Sequence, residues 1–290
     1  MIRTDEPRNV AALLTRMREE KRSATVLVSG SPGGSIHLRD GLVVAVHTPG
    51  APGVESQLLK SHRVDERSWA AATAAARAAR DAGAEGGGAG IGNDTYHEAL
   101  DAALVGQRLV ARAELDLLHT AAVFDGAFAL ALTSPAGWEV SAPVPAPGAS
   151  GVEPARLAEE TARRFAHLSQ HHRSVTEFAR TRVQAATPPP VRPGARHAAV
   201  LSVVNGRRTP RDIAFALGRG LYAVMADLVR MDALGLLHRE ERQPAADRPS
   251  TAPRTAGPPP EAPPVPAGPL PRRAPGRHPL GGSSTDPSGV

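Results

Sequence analysis

Proline placement is the strongest constraint on how this chain folds. Half of its 28 prolines, 14, fall after Glu241 in a chain of 290 residues. Proline fixes φ and removes an N–H donor, so neither a helix nor a strand ladder runs through such a stretch. That end also lacks the apolar bulk to offset its ordering entropy. Residues 242–290 are therefore expected to be a disordered Pro-rich tail. Smaller clusters divide the rest: one link at residues 143–150, and a stiff extended linker at 188–194 containing Pro188, Pro189, Pro190 and Pro193. The expected organisation is a first domain over residues 1–150, a helical connector over 151–187, the linker, and a second domain over 195–241.

Composition excludes several classes of function. With Cys 0, disulfides, thiolate metal sites and cysteine nucleophiles are impossible. Aromatic residues make up 3%, so a core must be built from Ala, Leu and Val. No run approaches the ~18 apolar residues of a membrane span, and residues 1–18 are charged and amphipathic rather than a signal peptide. A cytoplasmic protein with no membrane partner is expected. The net charge of +5 is carried by arginine, since Lys21 and Lys60 are the only lysines. Spread along the chain, that surplus reads as GC-rich codon usage rather than as a focused nucleic-acid patch.

Between the proline breaks the hydrophobic period switches. Asn9 can cap a helix in which Val10, Leu13, Leu14 and Met17 recur at i, i+3, i+4 and i+7. Thr25-Val26-Leu27-Val28 and Ser35-Ile36-His37-Leu38 then alternate around a Ser29-Gly30-Ser31-Pro32-Gly33-Gly34 turn, and Asp40-Gly41 marks a tight turn before Leu42-Val43-Val44-Ala45-Val46. This predicts an α+β domain, an antiparallel β-meander wrapped by helices. Helical spacing resumes at Val54, Leu58 and Leu59, and Asp65 is placed to cap a helix through Ala79. A glycine-rich loop is expected over residues 81–92, then helices near 95–104 and 113–124, the second broken at Gly126. Residues 127–132 alternate again and predict a strand paired with Trp138-Glu139-Val140. Glu153-Pro154 opens a helix whose Leu157, Thr161, Phe165 and Leu168 share a face, with a further helix over 175–183.

Residues 195–241 carry the most specific pattern. A helix bearing Val200, Leu201, Val203 and Val204 ends at Asn205-Gly206. Thr209 is an N-cap, with Pro210 at the first helical position and Asp212 at the third, and that short helix stops at Gly218 or Gly220. A longer helix presents Leu221, Val224, Met225, Leu228 and Met231 before Gly235 and a final strand. Helix, turn, short helix, turn, long helix, strand is the order of a winged helix-turn-helix. The outward face of its third helix would carry Tyr222, Ala223, Ala226, Asp227 and Arg230, a set poor in base-reading side chains. Positive charge gathers instead at Arg207, Arg208, Arg211 and Arg219, with His238 and Arg239 where a wing would start. These residues and Arg230 are the candidate DNA contacts, mainly to phosphates. The alternative is a solvated arginine face on a module that binds protein.

Two resemblances bear on the same choice. The segment 200–237, with NGRRTPRDIA at its first turn, is similar to winged-helix segments of many bacterial regulators. The strings VAALLTRM, ATVLV, SIHLRDGLVVAV and GVESQLL resemble the PatA-like N-terminal domain (DUF4388) of bacterial regulatory proteins, with Val26, Val28, Ile36, Leu38, Gly41, Ala45 and Gly53 at the family's positions. GAFALAL resembles the hairpin that closes such domains, so the resemblance spans residues 9–132. It implies signalling and protein contacts and carries over no catalytic residue. Followed by a winged helix, the arrangement resembles actinobacterial transcriptional regulators.

Other motifs point to no chemistry. The glycine turn at 29–34 lacks the lysine and following helix of a phosphate loop, as do Gly86, Gly87 and Gly88. His167, His171 and His172 have no carboxylate spaced with them, so no metal site is expected. Without a nucleophile motif the expectation is a non-enzymatic regulator that uses no cofactor. Its winged helix would contact DNA and its N-terminal domain would sense or bind a protein. The alternative is a protein-interaction module in a signalling pathway that does not touch DNA, and a homodimer is a further expected assembly. Truncation after Gln243 should leave the melting temperature unchanged within error; a fall of several degrees in a calorimetric scan would show that the tail packs on the body.

Overall fold

Local signals set the first elements. Helix α1 (Val10–Glu19) is capped by Asn9, whose Oδ1 accepts the Ala12 N–H at 2.9 Å, and it buries Leu13, Leu14 and Met17. Strands β1 (Ala24–Ser29), β2 (Gly34–Arg39) and β3 (Leu42–His47) form the antiparallel meander. Asp40 and Gly41 both have positive φ, +51° and +75°, as a two-residue type I′ turn requires. The turn is pressed against the end of α1: a Cβ on Gly41 would stand 2.6 Å from the Arg18 Cα. The computed structural model describes residues 9–84, 94–144 and 151–238. The expected tail, Arg239, Gly86 to Gly88 and most of the 143–150 link lie outside the described residues.

Three helices follow. They are α2 (Val54–Lys60), α3 (Glu66–Ala84) and α4 (Asp94–Gly106). Asp65 caps α3 by accepting the Ser68 N–H at 2.8 Å. The helix runs through Ala84, past Asp81 where the loop was expected to begin. Leu58, Val64, Ala72, Leu104, Val110 and Leu115 form a separate small core here.

Helix α5 (Arg112–Ala131) is the chief departure from expectation. Gly126 does not break it, and residues 127–131 are helix rather than a strand. Ala127-Phe128-Ala129-Leu130 reads as alternating because small alanines separate the large residues. Phe128, Ala129 and Leu130 are in fact all buried, since this end of the helix is enclosed on several sides. Gly126 sits mid-helix because α5 rides against strand β3: a Cβ there would meet the Val46 Cγ1 and backbone O at 2.9 Å each. Strand β4 (Gly137–Ser141) consequently pairs with β1, as in Val26↔Val140, and the sheet order is β3-β2-β1-β4. One sheet face, through Val26, Val28, Ile36, Leu38 and Val46, packs on α1, α5 and Leu157 of α6 (Pro154–Ser169).

The remaining elements close over the other side of α5. Helix α7 (Val175–Arg180) stops short of the expected Val183, because Val183 turns out to donate its N–H to the Arg208 O at 2.9 Å. Strand β5 (Gln184–Ala185) pairs antiparallel with β6 (Leu237–His238), bracketing α8 (Ala195–Leu201), α9 (Pro210–Leu217) and α10 (Leu221–Ala233). Val203 and Val204, expected on the first of these helices, lie in the turn after it. Phe128, Ala129 and Leu132 of the α5 end share one core with Leu168, Ile213, Val224, Met225 and Leu228. All described residues belong to one compact unit.

The α5–β3 contact gives a test in which two effects have opposite signs. Gly126→Ala gains about 1 kcal/mol in helix propensity. Overpacking against Val46 should nonetheless make the variant less stable by about 1–3 kcal/mol in urea denaturation.

Candidate functional site

The first turn of α9 is built as its sequence dictates. Thr209 and Asp212 form a reciprocal capping box: Asp212 Oδ2 accepts the Thr209 N–H at 2.9 Å, and the Asp212 N–H reaches Thr209 Oγ1 at 3.3 Å. Burial opposes ionisation of Asp212, but the Thr209 hydrogen bonds outweigh it and hold the carboxyl below its ordinary range. Gly218 ends the helix with φ +58°, in close approach to α2, where a Cβ would lie 2.7 Å from the Ser56 O.

Helix α10 is placed differently from a displayed recognition helix. Its first two free amides are taken by a carboxylate from α5. Asp125 Oδ2 accepts the Leu221 N–H at 2.6 Å and Oδ1 the Tyr222 N–H at 2.9 Å. Asp125 is buried, and burial pushes its carboxyl up against the opposing pull of those two amides and of Arg164. The Arg164 Nη1 lies 3.6 Å from Oδ1, and its guanidinium stands 4.8 Å over the Tyr222 ring. Tyr222 in turn hydrogen-bonds His167 Nδ1 at 3.0 Å and packs edge-on to Phe128. In a helix-turn-helix the residues at this end of the helix contact base edges. Here the end is closed by protein.

The outward face expected for α10 is also largely enclosed. Ala226 and Asp227 are buried, Tyr222 and Ala223 half-buried, and Arg230 alone of the set is exposed. Asp227, expected on the outward face, is instead a buried anchor for arginines. Its Oδ2 accepts from Arg196 Nε at 2.8 Å and from the Arg219 guanidinium, and Arg230 Nη1 lies 3.7 Å from Oδ1. Burial opposes its ionisation, but the Arg196 and Arg219 hydrogen bonds hold the carboxyl below its ordinary range.

This sorts the sequence candidates. Arg219 is spent on Asp227, and Arg230 is exposed but leans toward the same carboxylate. Arg208 is half-buried and donates to the Val203 O at 2.9 Å. Arg207 and Arg211 are exposed and form no ion pair among the described residues, with Arg211 5.8 Å over the Phe215 ring. His238 is exposed on β6, opposite Gln184. Two arginines absent from the sequence reading join this face. Arg180 lines the same cleft as Thr209 and Arg211, about 470 Å³ in volume, whose other wall is the turn at Gly30 to Gly33. Arg182 precedes Val183, whose backbone pairs with Gly206 and Arg208. Arg180 ends α7, and Arg182 lies in the extended stretch that follows, where a continuing helix is expected from the sequence.

The face offers donors without a base, nucleophile or metal set. Among the described residues no group of three His, Asp or Glu is placed to hold a metal ion. His167 is tied to Tyr222, and His172 stacks on Phe178 at 3.8 Å. Comparison with protein-family models, curated proteins and solved structures finds no match to this chain.

The Asp125 clasp is testable by truncation. Asp125→Ala leaves two α10 amides without their acceptor, while Arg164 keeps Glu160 at 2.7 Å, and should cost about 3 kcal/mol in urea denaturation. Asp125→Asn, which keeps an acceptor oxygen, should lose clearly less.

Proposed function

We propose that this chain is a non-enzymatic regulatory protein that works by binding an acidic protein partner on the face formed by Arg180, Arg182, Arg207 and Arg211. The observation that carries this reading is the closed N-terminal end of α10. With Asp125 seated on Leu221 and Tyr222, the helix has no free first turn to lay in a major groove. The arginines beside it remain exposed and form no ion pair among the described residues, and Asp212, next to Arg211, is engaged in its own cap. Such a face suits carboxylates, for which arginine is a two-pronged donor. The resemblance of the β1–β3 meander and its flanking helices to a signalling domain supports the same reading.

A second reading keeps DNA as the partner. The order of α8, α9, α10 and β6 supports a winged-helix assignment, and the cluster around Arg207 and Arg211 suits phosphates as well as carboxylates. In that reading contact is to the backbone alone and carries little sequence preference.

One comparison separates the two. Full-length protein and an Arg180→Glu/Arg207→Glu/Arg211→Glu variant are used in pull-downs with and without nuclease, and in gel shifts at two salt concentrations. Capture of a partner that survives nuclease and is lost in the variant is the expected result. If capture vanishes with nuclease, and the wild-type gel shift weakens steeply with salt by ~0.9 in slope per phosphate contact, the DNA reading takes its place.

A further inference from the structure

A second concave site lies between β3, the α3–α4 pair and α5. Its volume is about 420 Å³, within the range of pockets that hold small organic ligands. Apolar walls come from Val44 and Ala45 on one side and Leu100 and Leu104 on the other, with the Trp69 ring between elements. Into these walls are set His47, His97, His119, Asp101 and Thr73.

The polar groups are organised rather than scattered. Asp101 and His119 are both buried, and His119 Nε2 is 3.2 Å from each carboxylate oxygen. The other ring nitrogen, Nδ1, makes no hydrogen bond among the described residues, so one polar atom of the ring is left for a ligand. Thr73 Oγ1 is buried without a hydrogen-bond partner, an arrangement that costs stability unless something else supplies one. His47 is exposed at the rim, on the last residue of β3, and partial burial of its ring together with His37, His97 and His119 lowers its pKa to about 4. The formal charges beyond the Asp101–His119 pair are Arg77 and Glu55, opposite in sign and both exposed at the rim.

These features select the ligand. A charged molecule would enter a site with no unpaired counter-charge in its depth, which is costly. The arrangement calls for an uncharged body with apolar faces and an edge bearing both N–H donors and ring-nitrogen acceptors. We propose that this pocket binds a small heteroaromatic molecule of the nucleobase class, its faces between Val44/Ala45 and Leu100/Leu104 and its edge on His119, Thr73 and His97. The proposal is independent of what docks on the arginine face.

The test titrates the full chain with adenine, and separately with uracil, at about pH 7.5, above the ordinary imidazole range. Histidine ring resonances are followed by two-dimensional NMR. Saturable shifts of His47, His97 and His119, with the exposed His62 and His238 unmoved, are expected for at least one probe. Thr73→Val removes only the unpartnered hydroxyl, so it should keep or raise the melting temperature while weakening binding about tenfold. Ala122→Phe, which fills the pocket from α5, should abolish it. The proposal is overturned if neither probe shifts these resonances, or if Thr73→Val binds as tightly as the parent.

Discussion

Helix α10 begins at a glycine and has no side-chain cap of its own, so its exposed amides must find an acceptor elsewhere. They find it in Asp125, a carboxylate on a helix 96 residues earlier in the chain. Neither partner is stable alone: a buried carboxylate without donors and a buried helix end without acceptors each carry a desolvation cost. Joined, they fix the direction of α10 relative to α5. The approach is close enough that Gly220 faces the Asp125 carboxyl, where a Cβ would sit 3.3 Å away. Phe128, Phe165, Tyr222 and Arg164 pack around the joint, and the largest hydrophobic core is continuous through it.

A second buried carboxylate repeats the logic at the other side of α10. Asp227 draws in Arg196 and Arg219, so part of the arginine surplus is structural rather than available to a partner. What remains is set by geometry more than by composition. Arg180 ends α7 and Arg182 precedes β5, while Arg207 lies in the turn before α9 and Arg211 in its first turn. Arg180 and Arg211 line one cleft, and beside it Val183 bonds across to Gly206 and Arg208. A short backbone stitch thus assembles a basic face from residues that the chain separates.

How much was legible in the sequence follows from the range of the forces involved. Caps and turns act within a few residues, so Asn9, Asp65, Thr209 with Asp212, Gly218 and the Asp40-Gly41 turn were readable and stand where expected. The meander was readable for the same reason. The end of α5 was not, because Phe128, Ala129 and Leu130 are buried in succession, and three consecutive buried positions blur the helical period. Nor could Asp227 be placed, since a carboxylate on a helix looks the same in sequence whether it meets water or Arg196. Of the candidate site residues, Arg207 and Arg211 retain the exposure assumed for them, Arg219 does not, and Arg180 and Arg182 needed the fold to bring them in.

The contact between Gly126 and Val46 has a further meaning for the sheet's margin. An outermost strand presents unpaired backbone groups along its length, and such a margin can recruit another chain by strand addition. On the β3 side α5 covers that margin, while Val43 exchanges both of its free backbone bonds with Val152 in an isolated bridge. The side-chain-free surface of one glycine therefore lets a helix serve as a guard rail. Lifting α5 away would uncover a hydrophobic strand rich in valine, and the resulting hazard would be self-association into extended β-structure rather than simple loss of fold.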